Sequence, residues 1–230
     1  MNLPNLRNAV VFITGANRGL GLAFAKAALA AGATKVYGAA RDPSSIKLPG
    51  VIPVQLDVTD AAQVAAAVQA CPDVTLLINN AGIFKRSPVL SAASIDQAQA
   101  EMETNFLGPW RLSAAFAPVL ARAQSGAVIN VLSVLSWLSA PDVAAYCASK
   151  AAAWSLTNSL RQALAPQGTA VMGLHVGYMD TDMTAGIEAP KTSPDDVARG
   201  ALDALSQGAT EYLADDISRQ IKQSLSAPAA

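Results

Sequence analysis

The segment Thr14-Gly15-Ala16-Asn17-Arg18-Gly19-Leu20-Gly21 joins a β-branched run to an Ala-rich run, and this junction constrains the fold more than any other feature of the chain. Glycine lets the backbone turn sharply from strand into helix and approach another group without a Cβ in the way. A helix that opens at once leaves its first N–H groups and its positive dipole end free, an arrangement suited to a phosphate. A tight strand-to-helix connection with no ligand would use the same residues, so the junction takes its meaning from the pattern of the rest of the chain.

That pattern is an alternation. Short β-branched runs predict strands at residues 9–14, 35–40, 51–57, 74–79, 127–132, 170–176 and 211–213. Between them, helical patterns predict helices at residues 19–31, ending at Gly32, then at 60–70, 94–121 with a bend around Gly108-Pro109, 143–165 and 194–205. The rhythm implies an α/β protein: a single-domain Rossmann fold with a doubly wound, mostly parallel seven-stranded sheet and helices on both faces. Neither an internal repeat nor a linker interrupts residues 1–230, and only Ala227 to Ala230 reads as a mobile end. In such open sheets ligands sit beyond the carboxyl ends of the strands, so the residues just after each strand are the ones to examine.

Composition agrees with one core. The chain is 52% hydrophobic and 14% charged with 5% aromatics, so its apolar content is largely Ala, Val and Leu, suited to helices lying close on a sheet. A net charge of -1 without runs of like charge argues against nucleic acid or an anionic membrane as partner. The opening residues to Val10 are too short an apolar run for a secretory signal. The uncharged stretch 123–141 is broken by Gln124, Ser125, Gly126, Asn130, further serines and Pro141, against a membrane span. A soluble, cytoplasmic protein is expected, with Cys71 and Cys147 reduced and no metal site, since neither cysteine stands at metal-ligand spacing from His175.

Three residues separate Gly15 from Gly19, unlike the commoner dinucleotide fingerprint, which has one between its first two glycines. With Asp57 after the third strand, Asn79-Asn80-Ala81-Gly82 after the fourth, Asn105 in a helix, Ser133 after the fifth and Tyr146-x-x-x-Lys150, this order of motifs resembles the short-chain dehydrogenase/reductase family over residues 10–183. The resemblance implies a dinucleotide held by Gly15, Asn17, Arg18, Gly19, Leu20 and Gly21, by Asp57 and Val58 at the adenine, by Asn79, Ala81 and Gly82, and by Tyr146 and Lys150. It adds Gly177, Met179 and Thr181 after the sixth strand, where Val176 stands in place of the family's usual proline.

An NAD site normally carries an acid at the end of the second strand, whereas NADP needs positive charge there. Ala40 stands at that position, with Arg41 beside it and Arg18 in the glycine loop, so the sequence points to NADP(H). A register two residues later would put Asp42 in the acid's place and keep NAD(H) as the alternative. For Asp57, a helix cap near Asp60 competes with adenine binding.

Tyr146 and Lys150 lie one helical turn apart, about 6 Å along the axis. Free tyrosine has a pKa near 10, so it exchanges protons at neutral pH only where positive charge stabilises its phenolate. The family resemblance implies that Ser133 binds the substrate oxygen, Tyr146 is the general acid or base, and Lys150 also holds the nicotinamide ribose. It further implies that Asn105 holds a water linking Lys150 to solvent; a satisfied helix-bend asparagine is a compatible reading. Ser136 and Ser139 are alternative serines, and His175 reads as a packed core residue.

The enzyme expected is a carbonyl reductase or alcohol dehydrogenase acting on a small molecule. Its candidate pocket residues are Phe84, Trp137, Leu138, Tyr178 and Met183, beside a short substrate loop at residues 182–193. A homodimer is expected through residues 106–120 and 144–164. A non-catalytic NADP(H) sensor remains as the alternative, while a methyltransferase would want an acid after the second strand and has no use for Tyr146-x-x-x-Lys150.

Overall fold

The computed structural model describes residues 6–86, 88–123 and 125–225, so the opening residues and the expected mobile end at 227–230 lie outside the described residues. Seven strands, β1 (Val10–Thr14), β2 (Lys35–Ala40), β3 (Val51–Gln55), β4 (Leu76–Asn79), β5 (Ala127–Val131), β6 (Ala170–His175) and β7 (Glu211–Leu213), form one sheet in the order β3-β2-β1-β4-β5-β6-β7. Every pairing is parallel. The order reverses between β1 and β4, where the strands' carboxyl ends open a crevice.

Each face of the sheet carries its own core. In β1 the period of two sends Val11 and Ile13 into a cluster with Phe24 and Ala28 of α1 (Gly19–Ala30) and Val197 and Ala201 of α6 (Pro194–Ser206). Phe12 points the other way, against Phe116 of α4 (Gly108–Ala121), Val64 of α2 (Ala61–Ala70) and Leu156 of α5 (Ala144–Leu164). Alanines at 23, 25 and 28 let α1 lie close to the strands, and Gly32, at a φ of 87°, ends the turn after it.

Two regions differ from the sequence expectations. The helix expected over 94–121 divides into α3 (Ser94–Met102), a π-helical turn at Glu103–Leu107 and α4, so its break comes one turn earlier than Gly108-Pro109. Pro109 lacks the N–H that would bond the carbonyl of Asn105, which favours the wider turn just before it. A final helix, α7 (Asp216–Ser224), is not among the expected elements; Asp215 caps it by accepting from the Ser218 N–H at 2.8 Å. No helix among the described residues is long and apolar enough to cross a membrane. Cys71 and Cys147 are free and buried.

Candidate active site

The glycine loop is closed by contacts that leave no room for a Cβ at Gly21. Gly15 and Gly19 adopt φ of 65° and 52°, and a Cβ on Gly21 would sit 2.1 Å from the Gly15 carbonyl oxygen and 2.6 Å from Asn80 Nδ2. Thr14 Oγ1 accepts from the N–H groups of Asn80 and Ala81, both at 2.9 Å, and Asn80 Nδ2 donates to the Thr14 carbonyl at 2.8 Å, joining the loops after β1 and β4. α1 starts with no side-chain cap and no acid in its first turn, so its N–H groups stay available for an anion. These features fit a pyrophosphate. Gly21→Ala is expected to lower stability by about 1–3 kcal/mol through overpacking and to abolish tight dinucleotide binding, which a thermal melt and a NADPH fluorescence titration would measure together.

Further along the cleft, Ala40, Arg41, Asp57 and Val58 line the end that receives the ribose and adenine in folds of this kind. Asp42 also lines this end of the cleft, with its carboxylate engaged in accepting from the Ser44 N–H at 2.9 Å to cap a short turn. Arg18 pairs with Asp182 at 3.2 Å across the cleft, and both side chains are largely exposed. The helix-cap alternative for Asp57 fails: Asp60 caps α2, accepting from the N–H groups of Ala62 and Gln63, while Asp57 Oδ1 accepts from Thr59.

Asn79 departs from its expected place. Its side chain is buried away from the cleft, donating to Ser113 Oγ at 3.1 Å and to Asn130 Oδ1 at 2.8 Å, and Asn80 lines the cleft instead. The reason is strand alternation, which turns successive side chains to opposite sides.

Ser133, Tyr146 and Lys150 face the same cleft as Gly15, Asn17, Arg18, Gly19, Leu20, Ala81, Gly82, Gly177, Met179 and Thr181. Ser133 heads a 3-10 turn, Val134–Ser136, its Oγ accepting from the Leu135 N–H at 3.1 Å. Ser136 is occupied in the same turn, accepting from the Ser133 N–H, and Ser139 is exposed, so neither alternative serine stands where Ser133 does. The Lys150 ammonium lies 5.7 Å from the Tyr146 ring centre and donates to the Val131 carbonyl at 2.9 Å. Burial raises the Tyr146 pKa, and hydrogen bonding to Ser133 opposes that rise. Burial also pulls Lys150 down to about 8. Both groups are therefore pressed toward their neutral forms, and stabilising a phenolate depends on Lys150 keeping its charge.

Asn105 sits in the π turn with its side chain held in place: Oδ1 accepts from the Ile83 N–H, and Nδ2 donates to the Ile83 carbonyl and Ser149 Oγ, leaving one Oδ1 lone pair. A Cβ on Gly82 would lie 3.2 Å from Asn105 Oδ1 and 3.9 Å from Lys150 Nζ, so the missing side chain leaves space between amide and ammonium. Sequence reasoning missed Glu101, a buried carboxyl one turn before Asn105 that accepts from the Lys85 N–H at 2.7 Å. Burial raises its pKa, and its charge would raise those of Tyr146 and Lys150. Glu101 shares its stretch of helix with Asp96 and Glu103, and nothing in the sequence marks it as the buried one of the three.

Phe84, Tyr178 and Met183 line the substrate end, and Phe84 meets the Tyr146 ring edge-on at 5.0 Å. Trp137 and Leu138 do not line it. The 3-10 turn swings them past the cleft, so Trp137 stacks on His175 and Leu138 faces solvent, while Leu135 and Ile187 take the lining positions. The cleft measures about 1280 Å³, larger than the roughly 300–1,000 Å³ of a single small-ligand pocket.

The family model for short chain dehydrogenases matches residues 9–192. A short-chain dehydrogenase of Burkholderia cenocepacia, solved in complex with NADP, is 39% identical and superposes with a TM-score of 0.93, covering 97% of this chain and 95% of that one. Galactitol 2-dehydrogenase of Agrobacterium fabrum is 36% identical over 194 residues, 80% of this chain and 75% of its own length. The short chain dehydrogenase TazN of Aspergillus terreus is 32% identical over 204 residues, 81% of this chain but 44% of its own, so this chain spans less than half of that relative.

Proposed function

The chain belongs to the short-chain dehydrogenase family, and from that premise we propose that it is an NADP(H)-dependent oxidoreductase that reduces a carbonyl, or oxidises the matching alcohol, beside Tyr146. The observation that carries the reading is the convergence of Ser133, Tyr146 and Lys150 on the cleft that the glycine loop closes. Bound NADPH would supply the hydride. Ser133 Oγ accepts one bond from its own turn and keeps its proton to donate to the substrate oxygen. Tyr146 gives its phenolic proton to the same oxygen as negative charge develops there, and Lys150 stabilises the phenolate left behind. The space beside Gly82 supports a water through which the Asn105 side resupplies that proton.

NADP(H) is supported by Arg18 and Arg41 at the cleft, by the absence of an acid at Ala40, and by the NADP bound in the Burkholderia relative. Charge-assisted hydrogen bonds to a phosphate contribute about 1.5–3 kcal/mol each, so Arg41→Ala is expected to weaken NADPH roughly ten- to a hundredfold and leave NADH unchanged. Equal losses for both cofactors would assign the 2′-phosphate elsewhere. Phe84, Leu135, Met183 and Ile187 give the substrate end an apolar wall, which supports a carbonyl flanked by aromatic or aliphatic groups over a polyol. The proposal includes a cytoplasmic homodimer through α4 and α5, supported by half-exposed Trp110 packed against Phe106 on that face.

The test is a panel of carbonyls and alcohols followed in absorbance with NADPH, NADP+, NADH and NAD+. Turnover of apolar carbonyls with NADPH is the expected result. Tight NADPH binding without turnover of any compound would replace this reading with a cofactor sensor.

A further inference from the structure

Ser133 is held by more than its own turn. The ladder between β5 and β6 continues past the strand ends through the Leu132 N–H to the Leu174 carbonyl, at 2.7 Å, and the Val134 N–H to the Val176 carbonyl, at 3.0 Å. The Ser133 carbonyl stands outside that ladder. It accepts from the Ser136 N–H at 2.9 Å and faces His175 Nδ1 at 3.3 Å. His175 is wholly buried, its ring stacked on Trp137 with centroids 3.9 Å apart and planes at 18°. Behind it the contacts run on to the end of the chain. His175 Nε2 is 3.7 Å from Glu211 of β7, Glu211 pairs with Lys222 of α7 at 2.9 Å, and the Lys222 ammonium lies over the rings of Trp137 and Trp154 at 5.0 and 5.6 Å.

The chemistry of these neighbours decides where the ring carries its proton. A carbonyl oxygen only accepts, so the contact with Ser133 is a hydrogen bond only if Nδ1 is protonated. Burial pulls His175 down to about 4, against the opposing influence of Ser133 and Glu211, with Lys222 and Lys150 reinforcing the fall. The ring is then neutral at physiological pH and has one proton, and Nε2 is left without a donor. Lys222 offsets the Glu211 charge that faces this lone pair.

We propose that His175 is a positioning residue for Ser133: its Nδ1–H fixes the Ser133 carbonyl, and with it the direction of Oγ. The stacked Trp137 holds the ring's orientation, and Lys222, paired with Glu211, keeps that carboxylate from drawing the proton to Nε2. The final helix is on this account part of the catalytic support. The inference rests on the oxidoreductase reading for its effect on turnover, but its hydrogen bond can be observed without turnover.

His175 is the only histidine in the chain, so nitrogen NMR of the full-length protein reports it without ambiguity. The expected spectrum is that of an Nδ1–H, Nε2-unprotonated ring that does not titrate between about pH 5.5 and 8.5, the window around an ordinary histidine. An Nε2–H tautomer, or titration near the ordinary value, overturns the proposal. In kinetics, His175→Phe keeps a flat ring but removes the donor, and is expected to lower kcat about ten- to a hundredfold, as loss of an orienting partner does, with KM for NADPH and the melting temperature little changed. His175→Asn places an amide donor near the lost Nδ1 and should recover much of that loss. Equal kcat in wild type and His175→Phe overturns the proposal, as does an Asn variant no better than Phe when both melt like the wild type. Should His175→Phe fail to fold, the NMR result and the Asn variant still decide. If the wild type turns over no carbonyl, the oxidoreductase reading fails, and the NMR result judges the hydrogen bond separately.

Discussion

Tyr146→Phe is expected to cut turnover about a thousandfold, within the range that a positioned general acid contributes, while the protein still folds and binds NADPH. The substitution removes one buried oxygen and keeps the ring in its edge-on contact with Phe84. The other candidates are less suited: Ser133 is a far weaker acid, and Lys150 has its ammonium bonded to the Val131 carbonyl. The phenol of Tyr178 belongs to a solvent-exposed side chain with no cation over its ring among the described residues, whereas Tyr146 has Lys150 at 5.7 Å to stabilise a phenolate. The pH profile adds a second signature. Tyr146 remains a phenol through neutral pH because burial raises its pKa, so carbonyl reduction should be flat on the acid side. Lys150 is cationic below about 8 and loses its charge above it, so wild-type reduction should fall as pH rises through that value. The Phe variant should be slow and flat across the same range. Steady-state NADPH oxidation with a reactive aldehyde, paired with a cofactor titration and a thermal melt, measures all of this. A variant that keeps more than about a tenth of wild-type turnover would leave less than the smallest general-acid contribution to Tyr146 and move the proton donor elsewhere.

How much of this site is legible in the sequence depends on whether a residue's job is local. The glycine loop, the strand that feeds it and the helix it opens are adjacent in the chain, and their boundaries fall within a residue of the expected ones. Tyr146 and Lys150 are one turn apart on one helix, so their proximity comes from helical geometry alone. Asn79 and Asn80 are harder to tell apart, because strand alternation decides which side chain meets the cleft, and a shift of one residue at the strand's end exchanges them. Trp137 and Leu138 miss the pocket because a 3-10 turn of three residues redirects everything after it. The α7 helix gives little signal, although Asp215 stands as its cap and Ile217 and Ile221 recur at helical spacing. It is short and mostly polar, and such a segment forms a helix only because it docks, here through Lys222 on Glu211 and Ile217 against Gly177. The same holds for Glu101, whose sequence surroundings are ordinary and which only the packing of distant elements buries. His175 is legible as a packed core residue inside its strand, but its partners Trp137, Glu211 and the Ser133 carbonyl come from elements distant in the chain.

Lys150→Met should produce a protein that is inactive and more stable than the wild type. Lys150 is 4% exposed and its ammonium has one hydrogen bond, to the Val131 carbonyl, where an ammonium in water has its full hydration. Burial has moved its pKa from 10.5 to about 8, so at pH 7 the fold holds a charge that it disfavours. Below about pH 8 the lysine is protonated in both states and the folded state bears the whole difference. Between about 8 and 10.5 the folded state gives up its proton first and stability rises with pH; above that window the penalty is gone. A displacement of this size corresponds to about 3 kcal/mol. Methionine has a similar length, no charge and a flexible apolar stem, so it recovers most of that amount, less about 1 kcal/mol for the donor lost to the Val131 carbonyl. A net gain of about 2 kcal/mol would raise the melting temperature of a chain this long by about 4–8 °C at pH 7, and the gain should shrink steadily between pH 8 and 10.5. A melting temperature that falls, or a gain that ignores pH, would mean that Lys150 is stabilised in the cofactor-free protein by partners beyond its single carbonyl. The expected pairing of higher stability with lost turnover comes from the site's own requirement: the phenol of Tyr146 can give up its proton only beside a cation, and the fold accepts a destabilising buried charge to put one there.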